Sequence, residues 1–380
     1  MKRALSILAA LALAFAAPAS AQTEISGAAR HVAIMDGESG VLLYCDECEV
    51  PMPPASMSKL MTVLLVAEKV RAGELSLDTR FPVSENAWRH GAVSDGSHMF
   101  LELGSEVSVR DLLAGVIVVS ANDACIVLAE GIAGSEEAFV VQMNRRAQEL
   151  GLRSARFRNV TGLPDPEHVI SSADLARLAR YLMRADPDLY ERYAQPEFTY
   201  NNHTQQNRNP LLGAFAGADG VKTGHTSISG YGLVGSALLD GRRRVIVFNG
   251  TRSMAERRSE ALRLMRAAFH DFAATRLAEA DSPIGEAELY MGSRATVPLM
   301  AQTDIVIGGA RAVQTGLSAH IVYQGPIPAP VRQGDQIAEL VVEGPGFETQ
   351  RFPLVAAENV GRANWFSRAW RGLQVSFGAQ

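Results

Sequence analysis

The sequence predicts an α+β fold: an antiparallel sheet flanked by helices, then a small all-β domain and a C-terminal amphipathic helix. Three observations carry this expectation. Strand-like runs come as hairpins rather than alternating with helices in a βαβ series, helical patterns concentrate between Ser56 and Arg184, and beyond Ala280 helical periodicity nearly vanishes. The 380 residues suffice for two domains with substantial cores. A formal net charge of -5 excludes the strong basic excess that a nucleic-acid partner requires.

The chain begins with Met1-Lys2-Arg3, an apolar run from Ala4 to Ala17, then Pro18 and Ala19-Ser20-Ala21. Residues 1–21 read as a secretory signal peptide cleaved after Ala21, the run being short for a membrane-spanning anchor. Apolar segments at His31–Asp36 and Val41–Cys45 flank Gly37-Glu38-Ser39-Gly40, a hairpin pattern. Pro51, Pro53 and Pro54 forbid helix, and immediately afterwards Leu60, Met61, Val63, Leu64, Leu65 and Ala67 make a helix apolar on nearly every side, hence buried. Ser56 falls at its first turn with Lys59 on the same face.

A further helix starts at Ser108 with Asp111 as its capping partner and gives out near Ser120. Others are expected from Asp123, from about Ser135 to Leu150 with Gly151 closing it, and over Ser172–Arg184. Strands follow at Phe198–Tyr200, Gly220–Thr223, Tyr231–Leu239 and Arg244–Asn249, the last two around the Asp240-Gly241 turn. A helix from Met254 to about Ala274 completes a first domain spanning 22–278.

Residues 279–358 carry short alternating segments such as Thr303–Val306, His320–Tyr323 and Gln336–Val342, expected to form the all-β domain. In 359–380, Trp365, Phe366, Ala369, Trp370, Leu373 and Phe377 share one helical stripe, Arg368 and Arg371 lie off its centre, and no acidic residue follows Glu358. That pattern suits a helix lying in a membrane interface; a terminal helix packed on the β-domain, or a frayed tail, is the plainer alternative.

Of the three cysteines, Cys45 and Cys48 form a C-x-x-C pair and Cys125 stands alone in an apolar stretch. Zinc would need two more ligands, which no second C-x-x-C or His pair supplies. In an oxidising compartment a local disulfide is one reading, and two unpaired thiols the other. Cys125 reads as a small buried hydrophobe. No cofactor or metal is implied.

Three motifs carry the chemistry: Ser56-Met57-Ser58-Lys59, Ser120-Ala121-Asn122 and Lys222-Thr223-Gly224. A serine hydroxyl needs a base to become a nucleophile, and a lysine one helical turn away can serve if its amine is kept neutral by burial or a neighbouring cation. Ser120 can relay a proton to the leaving group, Asn122 can hold Lys59 and a substrate amide, and Lys222 can supply positive charge. Singly, these are ordinary cap, surface or helix-boundary residues. Together, in this order, they point to acyl transfer on Ser56.

With these motifs the chain resembles the low-molecular-mass penicillin-binding proteins, the serine-type D-Ala-D-Ala carboxypeptidases of the penicillin-binding protein 5/6 type. Pro53–Thr62, Val118–Ala124, Asn159–Leu163 and Asp219–Thr226 carry the resemblance. It implies a transpeptidase/β-lactamase-like catalytic domain in which a peptidoglycan stem pentapeptide acylates Ser56, D-alanine leaves, and water hydrolyses the ester. By the same resemblance Lys59 is the general base and Ser120 and Asn122 complete the proton network. Lys222 and Thr223, with Gly224 beside them, orient the terminal carboxylate, and the amides of Ser56 and His225 form the oxyanion hole. Arg208 and Arg257 match arginines at the carboxylate end, with Arg258 one residue from the latter. The expected partners are stem peptide as substrate, β-lactams as covalent inhibitors, and the periplasmic face of the inner membrane, met peripherally through Trp365, Phe366 and Trp370. The Cys45–Cys48 pair and Asn249-Gly250, where the family commonly has Gly-Ala, depart from the pattern.

Three other functions use similar parts. A β-lactamase needs a positioned Glu, and Glu167 lacks the Asn of a Glu-x-x-x-Asn spacing, where Ser171 stands. A D,D-endopeptidase shares every motif. An inactive cell-wall-peptide binding protein would have an eroded nucleophile or base, and both are present.

Overall fold

The hairpin expected near the N-terminus is formed by β1 (Arg30–Asp36) and β2 (Leu42–Asp46), paired antiparallel. This computed structural model describes residues 25, 27–92 and 96–363. The expected signal peptide and the Trp365–Phe377 helix lie outside the described residues. The described chain divides into two compact units, one of residues 25–282 with 301–312 and one of 283–300 with 313–363.

In the first unit, α1 (Lys59–Arg71) is buried along its whole first half, from Lys59 to Ala67. Its all-round apolar sequence makes it the central helix. Ser56 precedes it in a tight 3₁₀ turn, Ala55–Ser58, rather than in the α-helix itself. The helix Val109–Ala114 starts as expected, with the Ser108 side chain accepting the Asp111 N–H. It then widens into a π-type turn, Gly115–Val119, and the chain leaves through Ser120 in the left-handed region at φ 65°. α2 (Asn122–Ala133) follows directly, and α3 (Ser172–Ala185) is capped by Ser171.

Three long strands complete the unit's main sheet: β3 (Ala218–Thr226), β4 (Gly230–Leu239) and β5 (Arg242–Thr251). The order is β2-β1-β5-β4-β3, antiparallel throughout. Val245 to Phe248 are wholly buried, as expected for a central strand covered on both faces. β3 is an edge strand, so one side of its backbone is open to other partners. Gly250, one residue past the expected Arg244–Asn249 strand, lies within β5.

α4 (Met254–His270) ends four residues earlier than its apolar pattern suggested. Phe272–Ala278 is instead a strand, paired antiparallel with Ile305–Ala310. Its inward residue Phe272 and the alternating Ile305 and Ile307 bury against the first unit, which draws 301–312 out of the run assigned to the β-domain. The second unit is built on a six-stranded sheet in which Gln336–Gly344 pairs with both Ser318–Val322 and Phe347–Ala356, and Thr296–Met300 pairs with Pro283–Tyr290. Ala287, Val297, Leu299 and Leu354 fill its core.

Cys45 and Cys48 form a disulfide, with Cα atoms 5.0 Å apart. The Cys48 carbonyl accepts the Ala173 N–H at 2.9 Å and the Ser172 hydroxyl at 3.1 Å, tying the end of β2 to the first turn of α3. Cys125 is free and buried. Among the described residues no helix is long and apolar enough to cross a membrane.

Candidate active site

The prolines before Ser56 hold the chain extended until Pro54, whose carbonyl accepts the Met57 N–H at 3.2 Å and closes the serine turn. One turn later the Lys59 Nζ lies 2.8 Å from the Ser56 Oγ and 2.5 Å from the Thr161 carbonyl. Lys59 is wholly buried. That burial lowers its pKa to about 8; the Arg208 charge pushes the same way, while Cys125 and Asp123 oppose. The amine is thus within reach of the neutral form that can take a proton.

Thr161 was not singled out from sequence, although it lies in one of the stretches that carry the family resemblance. Asn159 shapes its loop: its side-chain oxygen accepts the N–H groups of Thr161 and Gly162, and its amide donates to the Leu163 carbonyl. A Cβ on Gly162, at φ +78°, would lie 2.0 Å from the Ala55 carbonyl oxygen, so only glycine lets this loop rest on the serine turn.

The left-handed backbone at Ser120 turns its hydroxyl inward, buried and without a hydrogen-bond partner among the described residues. Asn122 opens α2 and donates its N–H to the Ser97 carbonyl at 2.7 Å. Next to it, buried Asp123 accepts the Met99 N–H through both oxygens, at 3.1 and 3.2 Å. Burial raises that carboxyl's pKa, against the backbone N–H groups that lower it. These bonds fix the segment 97–99 against the Ser-x-Asn motif.

On β3, Lys222 pairs with Val234, Thr223 with Leu233, Gly224 with Gly232 and His225 with Tyr231. Lys222 is buried, its pKa held well below the usual lysine value by desolvation and then by the Lys59 charge. A Cβ on Gly224 would stand 2.8 Å from the Pro54 carbonyl oxygen and 3.2 Å from the Ala55 Cβ. The motif glycine therefore lets the edge strand lie directly against the serine turn. Gly224→Ala is expected to part them by several tenths of an ångström and slow penicillin acylation roughly 10²-fold. Stopped-flow acylation measures this, and an unchanged rate would show that close approach is not what the glycine supplies.

His225 is exposed, its ring stacked 3.8 Å from that of Tyr231. Arg257 is buried with its guanidinium 5.5 Å from the Tyr231 ring centre, and burial lowers its pKa to about 10. Its Nε has no hydrogen-bond partner among the described residues. Arg208 donates to the Ser97 hydroxyl at 2.5 Å.

Ser56, Ser120, Asn122, Arg208, Thr223, Gly224, His225 and Arg257 all line one cavity of about 360 Å³. Lys59 reaches it through Ser56, and Lys222 adjoins it on β3. Arg258 is exposed and outside the lining, whereas Arg257 is buried and within it. Ser97, Thr161 and Tyr231 also line the cavity; nothing local in the sequence marks Ser97, whose place is set by bonds to distant elements. Among the described residues no group of three His, Cys, Asp or Glu side chains could hold a metal ion.

A family model described as D-alanyl-D-alanine carboxypeptidase matches residues 17–252, and one described as penicillin-binding protein 5, C-terminal domain, matches 272–362. The chain is 34% identical to the D-alanyl-D-alanine carboxypeptidase DacD of Salmonella typhimurium over 380 residues, covering 97% of each chain. It is 34% identical to DacA of Haemophilus influenzae, over 90% of this chain and 88% of that one. Among solved structures, penicillin-binding protein 5 from Haemophilus influenzae superposes with a TM-score of 0.78 at 33% identity, covering 89% of this chain and 98% of that one. Penicillin-binding protein D2 from Listeria monocytogenes, solved in an ampicillin-bound form, has a TM-score of 0.59 at 30% identity, covering 65% of this chain and 100% of that one. With a serine–lysine pair seated under an edge strand and relatives matched over nearly their full length, the chain belongs to the D-alanyl-D-alanine carboxypeptidase family of serine peptidases.

Proposed function

We propose that the protein removes the terminal D-alanine from peptidoglycan stem pentapeptides through an acyl-enzyme on Ser56, with Lys59 as the base. The observation that carries this reading is the 2.8 Å contact between the Ser56 hydroxyl and an amine whose pKa is lowered to about 8. The neutral Lys59 amine takes the hydroxyl proton while Ser56 Oγ bonds to the carbonyl carbon of the penultimate D-alanine. The amides of Ser56 and His225 stabilise the oxyanion, Ser120 passes a proton to the departing amine, and Asn122 holds the substrate amide. D-alanine leaves, and water then cleaves the ester and restores the hydroxyl.

Lys222, Thr223, Arg208 and Arg257 make the carboxylate end of the site. A bound carboxylate next to Lys222 offsets the desolvation that lowers its pKa, so substrate binding itself favours the charged form. A β-lactam meets the same attack, but its leaving amine stays tethered to the acyl group and blocks water. The ampicillin-bound relative supports this for the present site.

The test follows free D-alanine and intact protein mass during incubation with a synthetic stem pentapeptide. Release of one D-alanine per peptide, together with a penicillin adduct on Ser56, is the expected result. Adduct without release would redirect the assignment to crosslinked substrates.

Export with loss of residues 1–21, and peripheral attachment on the periplasmic face of the inner membrane, rest on the N-terminal pattern and on Trp365, Phe366 and Trp370. Truncation before Asn364 is expected to move the exported protein into the soluble fraction. Retention in the membrane fraction would overturn the anchoring role.

A further inference from the structure

Ser97 is half-buried and lines the catalytic cavity together with Ser56, Arg208 and Thr223. Its Oγ accepts an Arg208 guanidinium N–H at 2.5 Å, and the hydroxyl's own proton has no acceptor among the described residues. Arg208 in turn pairs with no carboxylate among the described residues, and partial desolvation lowers its pKa with no acidic neighbour to oppose the shift. An unpaired guanidinium and a free O–H, side by side in a cavity, offer two donors to one anion.

The backbone that carries Ser97 does not depend on the bond to Arg208. Its carbonyl accepts the Asn122 N–H at 2.7 Å, and the Met99 N–H goes to the Asp123 carboxylate. From the other side, the hairpin of Glu197–Tyr200 and His203–Gln206 closes on the same segment. Gln205 Nε2 donates to the His98 carbonyl at 2.9 Å and Asn201 Nδ2 to the Phe100 carbonyl at 3.3 Å. The Phe100 and His203 rings stack 3.8 Å apart. Residues 97–100 are therefore fixed on two sides, and the Ser97 side chain is free to serve the cavity.

Its place along the cleft follows from its partner. Arg208 belongs to the carboxylate end of the site, so a hydroxyl bonded to that guanidinium stands there as well. Arginine has five N–H donors and can keep the bond to Ser97 while meeting a carboxylate.

We propose that Ser97 is a further substrate-binding residue, whose hydroxyl donates to one oxygen of the terminal carboxylate while Arg208 holds the other. It thereby selects a leaving residue that ends in a free acid. The inference rests on the carboxypeptidase reading and adds to it a residue that sets specificity rather than performs chemistry.

The experiment uses the full chain and two thioesters built on the same stem peptide. One replaces the last D-alanine by D-thiolactate, which keeps its methyl group and carboxylate; the other replaces it by ethanethiol, which lacks only the carboxylate. A thioester is reactive enough to be cleaved without that group, and both rates are read as free thiol. Ser97→Ala is expected to lower kcat/KM about 10-fold on the thiolactate ester and to leave the ethanethiol ester within about two-fold. Ser97→Thr keeps the hydroxyl and is expected to recover most of the loss. If the alanine variant does not fold, Ser97→Cys, close in size but a weak donor, carries the same comparison. An equal loss on both esters shows a merely structural role, and no loss on either shows a spectator; both overturn the proposal. The parent enzyme separates this inference from the reading beneath it. Penicillin labelling and D-alanine release in the parent, with the preference between the two esters unchanged in Ser97→Ala, sink the Ser97 contact alone. Neither labelling nor release in the parent removes the carboxypeptidase reading as well.

Discussion

Ser56→Ala is expected to abolish covalent penicillin labelling and to cut D-alanine release on the order of 10⁴-fold or more. The substitution removes one oxygen from a partly exposed position, and among the described residues the only side-chain bond it breaks is the one to Lys59. The fold should therefore survive, and thermal unfolding of the variant should follow that of the parent. Its neighbour provides the contrast. Ser58 belongs to the same motif, yet it is wholly buried and its hydroxyl donates to the Ala55 carbonyl at 3.0 Å. It faces into the turn, so Ser58→Ala should still be labelled. Intact mass after penicillin treatment distinguishes the two, and an adduct on the Ser56 variant would sink the assignment of the nucleophile.

Most of this site was legible because its signals are local. Ser56 and Lys59 are one turn apart, and the buried character of α1 is written in nine consecutive residues. Arg208 and Arg257 came only through the family resemblance, since no local pattern marks an arginine whose partner is a distant cavity. The misread elements depend on remote pairing. Phe272–Ala278 continues the apolar pattern of α4 and becomes a strand because Ile305–Ala310, some thirty residues on, pairs with it. The left-handed Ser120 follows from the wider turn before it, which no periodicity announces. The C-x-x-C pair stayed open between disulfide and free thiols until β2 brought the two Cα atoms to 5.0 Å.

The base should reveal itself in the pH dependence of acylation. Burial penalises the charged ammonium of Lys59 and brings its pKa from 10.5 to about 8. The neutral form is the reactive one, so the acylation rate should climb about tenfold per pH unit below 8 and level off above it. At pH 7 roughly one amine in ten is neutral, against about one in three thousand for an unperturbed lysine, which is how burial brings the reaction into the neutral range. Lys59→Met keeps an unbranched apolar side chain in the buried position but removes the proton acceptor. It should slow acylation on the order of 10²- to 10⁴-fold and erase the rising limb, whatever rate remains. Lys222 is the rival base, being equally buried, but its Nζ donates to the Thr223 carbonyl at 3.3 Å while the Ser56 hydroxyl is held by Lys59. Lys222→Met should therefore weaken carboxylate-bearing substrates and leave the limb near pH 8. If the limb survives in Lys59→Met and vanishes in Lys222→Met, the two lysines exchange roles, and the 2.8 Å contact is structural rather than catalytic.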